Sequence, residues 1–141
     1  MQTVAFSVTF PLGLRFDLRA LLGDVKDSEV FVLLQSAGVL TRPWCLLEIF
    51  TAITNQVPIV CVNVAGPNSY DFSAASTFMT HLDTELDIAN PGASKLIRDQ
   101  GVDMVQLAYL LAHTIPSCIS VDFNPVRAIL WVYVAHNHLA I

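Results

Sequence analysis

Within "LTRPWCLLEIF", residues 40 to 50, one carboxylate, Glu48, stands in a largely apolar run beside Trp44 and Cys45. On a helix Trp44 and Glu48 are four apart and share one face, which sets an aromatic plane beside the acid. An indole in that place can pack on a ligand or keep water from the carboxylate. An anion screened from water acts more strongly on positive charge developing close to it. Ser36, eight residues before Trp44, adds a hydroxyl at the end of another apolar run. Each residue also has a plain structural role open to it. Trp44 can anchor a helix to a sheet, Cys45 can be a small core residue, Ser36 can end a strand through its hydroxyl, and Glu48 can be a solvated carboxylate at a helix surface.

Other groups of reactive residues carry less. His136 and His138 of "HNH" are two apart, point in different directions on a helix, and read as solvent-facing. "DTELD", 83 to 87, sets three acids at alternate positions but lacks the glycine and distal glutamate of a calcium loop, so it reads as charged surface. His81 and His113 are isolated, no serine sits in a nucleophile elbow, and there is no glycine-rich phosphate loop. No metal site is expected.

The elements that must position Ser36, Trp44 and Glu48 follow from the hydrophobic pattern. "FDLRALLGDVKDSE", 16 to 29, spaces Phe16, Ala20, Leu21 and Val25 as a short amphipathic helix. "VFVLLQ", 30 to 35, is a continuous aliphatic run and predicts a strand covered on both faces. Thr41 is placed to cap a helix with Pro43 in its first turn, running to about Asn55. "VPIVCVNV", 57 to 64, is a second apolar strand, and "AGPNSYD" the loop after it. Strand, helix and strand in this length predict a right-handed βαβ unit with parallel strands.

Further on, 72 to 87 reads as a helix broken by "NPGAS", with "SKLIRDQ" restarting one turn. Residues 102 to 115 read as a buried helix capped by Asp103 or by the Gly101 turn. "CISVDF", 118 to 123, reads as a short edge strand, and 126 to 139 as a last helix, apolar nearly all round. At the start, Val4, Phe6, Val8 and Phe10 alternate with smaller or polar residues, as in a strand within 1 to 12.

Composition bounds what such a chain does. At 141 residues it makes one domain, 1 to 141, with no repeat or linker. Hydrophobic residues are 54% and charged ones 13%, below the usual quarter, which favours a layered α/β fold with most elements buried on more than one side. The longest apolar run, Ala128 to Ala135, falls far short of the roughly 20 residues of a membrane span. No basic residue precedes the first apolar stretch and no small-residue cleavage site follows it, so the protein is read as cytoplasmic. Cys45, Cys61 and Cys118 are odd in number and lack C-x-x-C spacing, so they are expected reduced and buried. A net charge of -5 with no Lys/Arg cluster argues against nucleic-acid or anionic-membrane partners.

The segment "VFVLLQSAGVLTRPWCLLEIFTAITNQVPIVCV", 30 to 62, resembles the central part of a TIR (Toll/interleukin-1 receptor) domain, with 16 to 64 the best-matched core. In that family a buried strand ends in a serine, and after a turn a helix opens with Trp-Cys-x-x-Glu. Ser36, Trp44, Cys45 and Glu48 fall on this pattern. The family's "Asp-x-Phe-x-Ser" start is absent, and Val39 or Leu40 stands where a tyrosine is usual. The resemblance implies an open parallel sheet with flanking helices, a flavodoxin-like TIR fold, divergent or truncated and lacking the first strands.

It also implies two functions of different class. One is a signalling module that associates with itself or with other TIR-like domains, as a homo-oligomer. The other is an NAD+ hydrolase, for which NAD+ is substrate and no cofactor is needed. There Glu48 would be the catalytic residue, stabilising an oxocarbenium-like transition state as nicotinamide leaves, with Trp44 and Ser36 binding substrate. The module is the favoured expectation. It does not require the pocket wall that the family's missing front portion ordinarily forms.

Overall fold

The computed structural model describes residues 4–7, as backbone, and 18–128. The strands are β1 (Val4–Ser7), β2 (Val30–Gln35), β3 (Ile59–Val64) and β4 (Ser120–Phe123), all parallel and adjacent in chain order. Helices α1 (Leu18–Lys26) and α2 (Pro43–Thr54) flank β2 in sequence. The helices α3 (Phe72–Thr80), α4 (Leu82–Ala89), α5 (Ala93–Asp99) and α6 (Met104–Thr114) fill the connection from β3 to β4. This is an open all-parallel α/β sheet of the flavodoxin-like kind. Among the described residues the strand order shows no reversal.

One strand stands ahead of β2, so the sheet does not begin there as the truncated reading supposed. Val4 lies opposite Val30 and Ser7 opposite Leu33, which makes β1 the short form of the strand expected within 1 to 12. The remainder of that segment, the start of the helix predicted over 16 to 29, and all of 126 to 139 beyond Ala128 lie outside the described residues. Of the last helix only its start at Pro125 is described, where the Asn124 side chain accepts from the N–H groups of Val126 and Arg127.

β2, although apolar almost throughout, is not buried evenly. Phe31, Leu33 and Gln35 are buried, while Val30, Val32 and Leu34 on the opposite face are half-buried. The buried face joins Leu46, Leu47 and Ile49 of α2 and Leu107 and Leu111 of α6 in one hydrophobic cluster. α2 sits among α1, α5 and α6, and α6 among α3, α4 and α5. Truncating any of these fully buried leucines to alanine removes about 2–5 kcal/mol, since the packed helices close only part of the cavity.

Local chemistry explains the element ends. Thr41 does not cap α2: it closes a 3-10 turn (Val39–Thr41), where its hydroxyl donates to the Gly38 carbonyl at 2.7 Å, and Arg42 takes the cap position. Pro43 occupies the first turn of α2, where its missing N–H costs little. α2 stops in a Schellman arrangement, with Val57 N–H bonding to Ala52 and Gln56 N–H to Ile53. β3 then starts at Ile59 rather than at Val57, because Pro58 has no N–H for the ladder and offers only its carbonyl, to Phe31 N. The helix predicted over 72 to 87 is two helices, turning at His81, whose ring bonds to the Thr77 carbonyl at 3.0 Å. Asp103, not the Gly101 turn, caps α6, accepting from Gln106 N at 2.8 Å.

Candidate functional site

The turn leaving β2 and the loop leaving β3 are tied together at the carboxyl ends of the strands. Ser36 makes an antiparallel bridge with Ser69, and Ala37 N–H donates to the Asn68 carbonyl at 2.9 Å. Gly38 turns the chain with φ +75°, a conformation that costs a side-chain-bearing residue about 1–2 kcal/mol. Asn90 then holds the turn from behind, donating to the Thr41 carbonyl at 2.9 Å. Opposite the turn, Asp71 caps α3 by accepting from Ala74 N at 2.9 Å, and the buried Tyr70 meets the exposed Phe72 edge-on at 5.0 Å.

Between these walls lies a cleft of about 270 Å³. Ser36, Thr41, Ser69 and Asp71 supply polar groups to it, and Leu40, Tyr70, Ala74, Ala75 and Phe78 supply apolar ones. The volume is near the lower end of the range for small-molecule sites. Of the three residues singled out in the sequence, Ser36 lines this cleft, and Trp44 and Glu48 do not.

Trp44 and Glu48 lie in the first turns of α2. Trp44 is 38% exposed, too open to be the buried anchor of the helix against the sheet, whereas Glu48 is 5% exposed. Glu48 is therefore not a solvated surface carboxylate. Its helix neighbours Cys45, Leu46, Leu47 and Ile49 are buried as well, and Glu48 is partnered. A carboxylate rarely enters a core without such partners, because desolvating an isolated charge is far too costly.

A set of polar residues without a sequence signal crosses the sheet one step below the cleft. Gln35, Asn63 and Asp122 are in register across β2, β3 and β4 and so share one face. Asn63 Nδ2 donates to Asp122 Oδ1 at 2.9 Å, and Ser120 Oγ donates to Gln35 Oε1 at 2.6 Å. Only the amide nitrogen of Asn63 can face the Asp122 carboxylate, which turns Asn63 Oδ1 inward, buried and without a hydrogen-bond partner. Alternation shows these positions to share a face only once the register is known.

Of the three cysteines, Cys45 and Cys61 are buried and Cys118 is half-buried. Burial, reinforced by Cys118, pushes the Cys61 thiol up to about 12, and burial with the neighbouring Cys61 pushes Tyr70 up to about 12. Cys118 is also raised by burial, and its thiol donates to the Thr114 carbonyl at 3.3 Å. These groups are protonated at neutral pH and are poor nucleophiles. The acids of "DTELD" lie on α4 and are exposed. Asp87 accepts from both Ser94 N and Ser94 Oγ, and these bonds hold its carboxyl below the usual 3.8. His81 and His113 are exposed, each bonded to a backbone carbonyl one turn back. "HNH" lies outside the described residues. Among the described residues no three metal-binding side chains come together, and no helix is long and apolar enough to cross a membrane.

No known protein-family model matches the chain, and no curated protein matches it.

Proposed function

We propose that the chain is a TIR-like signalling module that acts by associating with itself or with domains of its own kind, in the cytoplasm, where its three cysteines stay reduced. The reading is carried by one surface. The sheet face opposite the main core runs through Leu34, Val62 and Val121, with Phe123 beyond them opposite Val64, and it opens toward β4. Val62 and Leu34 are half-buried, and on β4 Val121 and Phe123 are 52% and 45% exposed, with Ile119 at 76% just before the strand. Contiguous apolar surface of this kind marks a place of association. Sedimentation velocity over a micromolar concentration series tests it. The native chain should move to larger species as concentration rises, and Val121→Lys with Phe123→Lys should remain monomeric with an unchanged circular dichroism spectrum. A native chain that stays monomeric throughout ends this reading.

A second reading, NAD+ hydrolysis, is favoured by the burial of Glu48 on a helix that opens at the carboxyl ends of parallel strands, where such sheets hold ligands. Glu48 would stabilise the cation left on the ribose, with Trp44 beside the substrate. Nicotinamide release, assayed at high protein concentration, should vanish in Glu48→Gln, which keeps the shape of the side chain and removes its charge. Equal release by the variant removes Glu48 from the chemistry.

A further inference from the structure

From the walls of the cleft between the β2 turn and α3, we infer a binding site for a small, neutral, planar nitrogen heterocycle that excludes ligands bearing phosphate. The site is independent of the association surface and of Glu48.

Size comes first. A cavity of about 270 Å³ suits a one- or two-ring compound. The space exists because Ala37, Gly38, Ala74 and Ala75 are small, and Ala74 is exposed at the cleft, so its size is not dictated by core packing.

Chemical character follows from the lining. Tyr70 and Phe78 give aromatic surface on which a flat ring packs favourably. The hydroxyls of Ser36 and Ser69 can donate and accept, and that of Thr41, whose proton goes to the Gly38 carbonyl, can accept, which suits a ring with nitrogen acceptors and amino donors at its edge.

Charge decides against phosphate. The N-terminus of a helix is ordinarily a place for an anion, and α3 points its first turn at this cleft. Here that place is taken, since the Asp71 carboxylate itself accepts from Ala74 N and lines the cavity. No lysine or arginine is among the lining residues. A phosphate entering would meet a carboxylate with no cation to offset it, and like charges at such range repel by an amount that grows as water is excluded.

The test uses the full chain with adenine and AMP as probes, followed by two-dimensional amide and methyl NMR. Adenine should shift resonances of Ser36, Thr41, Ser69 and Ala74, and AMP should bind at least about tenfold more weakly, a difference of about 1.4 kcal/mol. Ala74→Leu, on an exposed helical position, fills the cleft and should abolish the adenine shifts while leaving the thermal midpoint near the native one. Asp71→Asn keeps a good helix cap and removes the charge, so it should narrow the gap between AMP and adenine. The inference is overturned by adenine shifts that are absent or map elsewhere, by binding that survives Ala74→Leu, or by AMP binding as well as adenine to the native chain. An unchanged AMP-to-adenine ratio in Asp71→Asn overturns the role given to the carboxylate.

Discussion

Glu48 and Asp87 are both acids on helices, yet the fold treats them oppositely. Glu48 is buried and partnered, so replacing it with alanine removes its polar interaction and leaves a void. Glu48→Ala should lose about 2–4 kcal/mol, read from the urea midpoint, whether or not the residue takes part in chemistry. Asp87 is on the surface, and its bonds to Ser94 depress its pKa in the folded state. A depressed carboxyl stabilises the fold above its unfolded value and loses that contribution as pH falls through the folded value. The stability gap between the native chain and Asp87→Asn should therefore be constant near neutrality and shrink once the pH drops below about 4. Cys61 behaves in the opposite sense. With its thiol raised to about 12, the unfolded chain ionises first on going alkaline, and stability should fall as pH rises from the ordinary thiol value near 9 toward 12. Native Cys61 should resist iodoacetamide at pH values where an exposed thiol reacts.

At the scale of elements, two helices end in the same hydrogen-bond pattern with different residues at the left-handed position. α5 closes with Gly101 at φ +80°, with its N–H bonded to Arg98 and Val102 N–H to Ile97, while α2 closes with Gln56 at φ 58°. Glycine carries no steric penalty there and glutamine does. Gln56→Gly should raise stability by about 0.5–1 kcal/mol, seen as a higher thermal midpoint. Asp71→Ala should cost about 1 kcal/mol by uncapping α3. The elements around Ser36 and Glu48 were legible because their signals are local: the run 30 to 35, Pro43 at a helix start, and Asp103 before an apolar helix. The break at His81 was not, because Ala75, Met79, Leu82 and Leu86 keep a helical spacing across it. The cap by Thr41 failed for a different reason. The 3-10 turn after Gly38 takes in Thr41 itself, so the chain enters α2 one residue later and Arg42 stands at the cap.

At the scale of the whole molecule, the uneven covering of the sheet among the described residues is the feature with most consequence. One face carries the helical layer, and the other grades from half-buried at β2 and β3 to exposed at β4. If association buries that apolar face, it should weaken on cooling and change little between low and high salt, because the hydrophobic effect is entropic near room temperature and surface ion pairs alone are strongly screened. Sedimentation at two temperatures and two salt concentrations reads both. The sequence by itself determined an α/β chain with parallel strands at 30 to 35 and after the Trp-Cys-x-x-Glu helix, since hydrophobic period and turn chemistry act over a few residues. It also set Ser36, Trp44 and Glu48 into one short stretch. Only the tertiary structure decided that Glu48 is buried while Trp44 is open, that Ser36 faces a cleft built by the distant Ser69, Tyr70 and Ala74, and that Gln35, Asn63 and Asp122 share a face. Those relations depend on strand register and on contacts between residues tens of positions apart, and no local pattern encodes them.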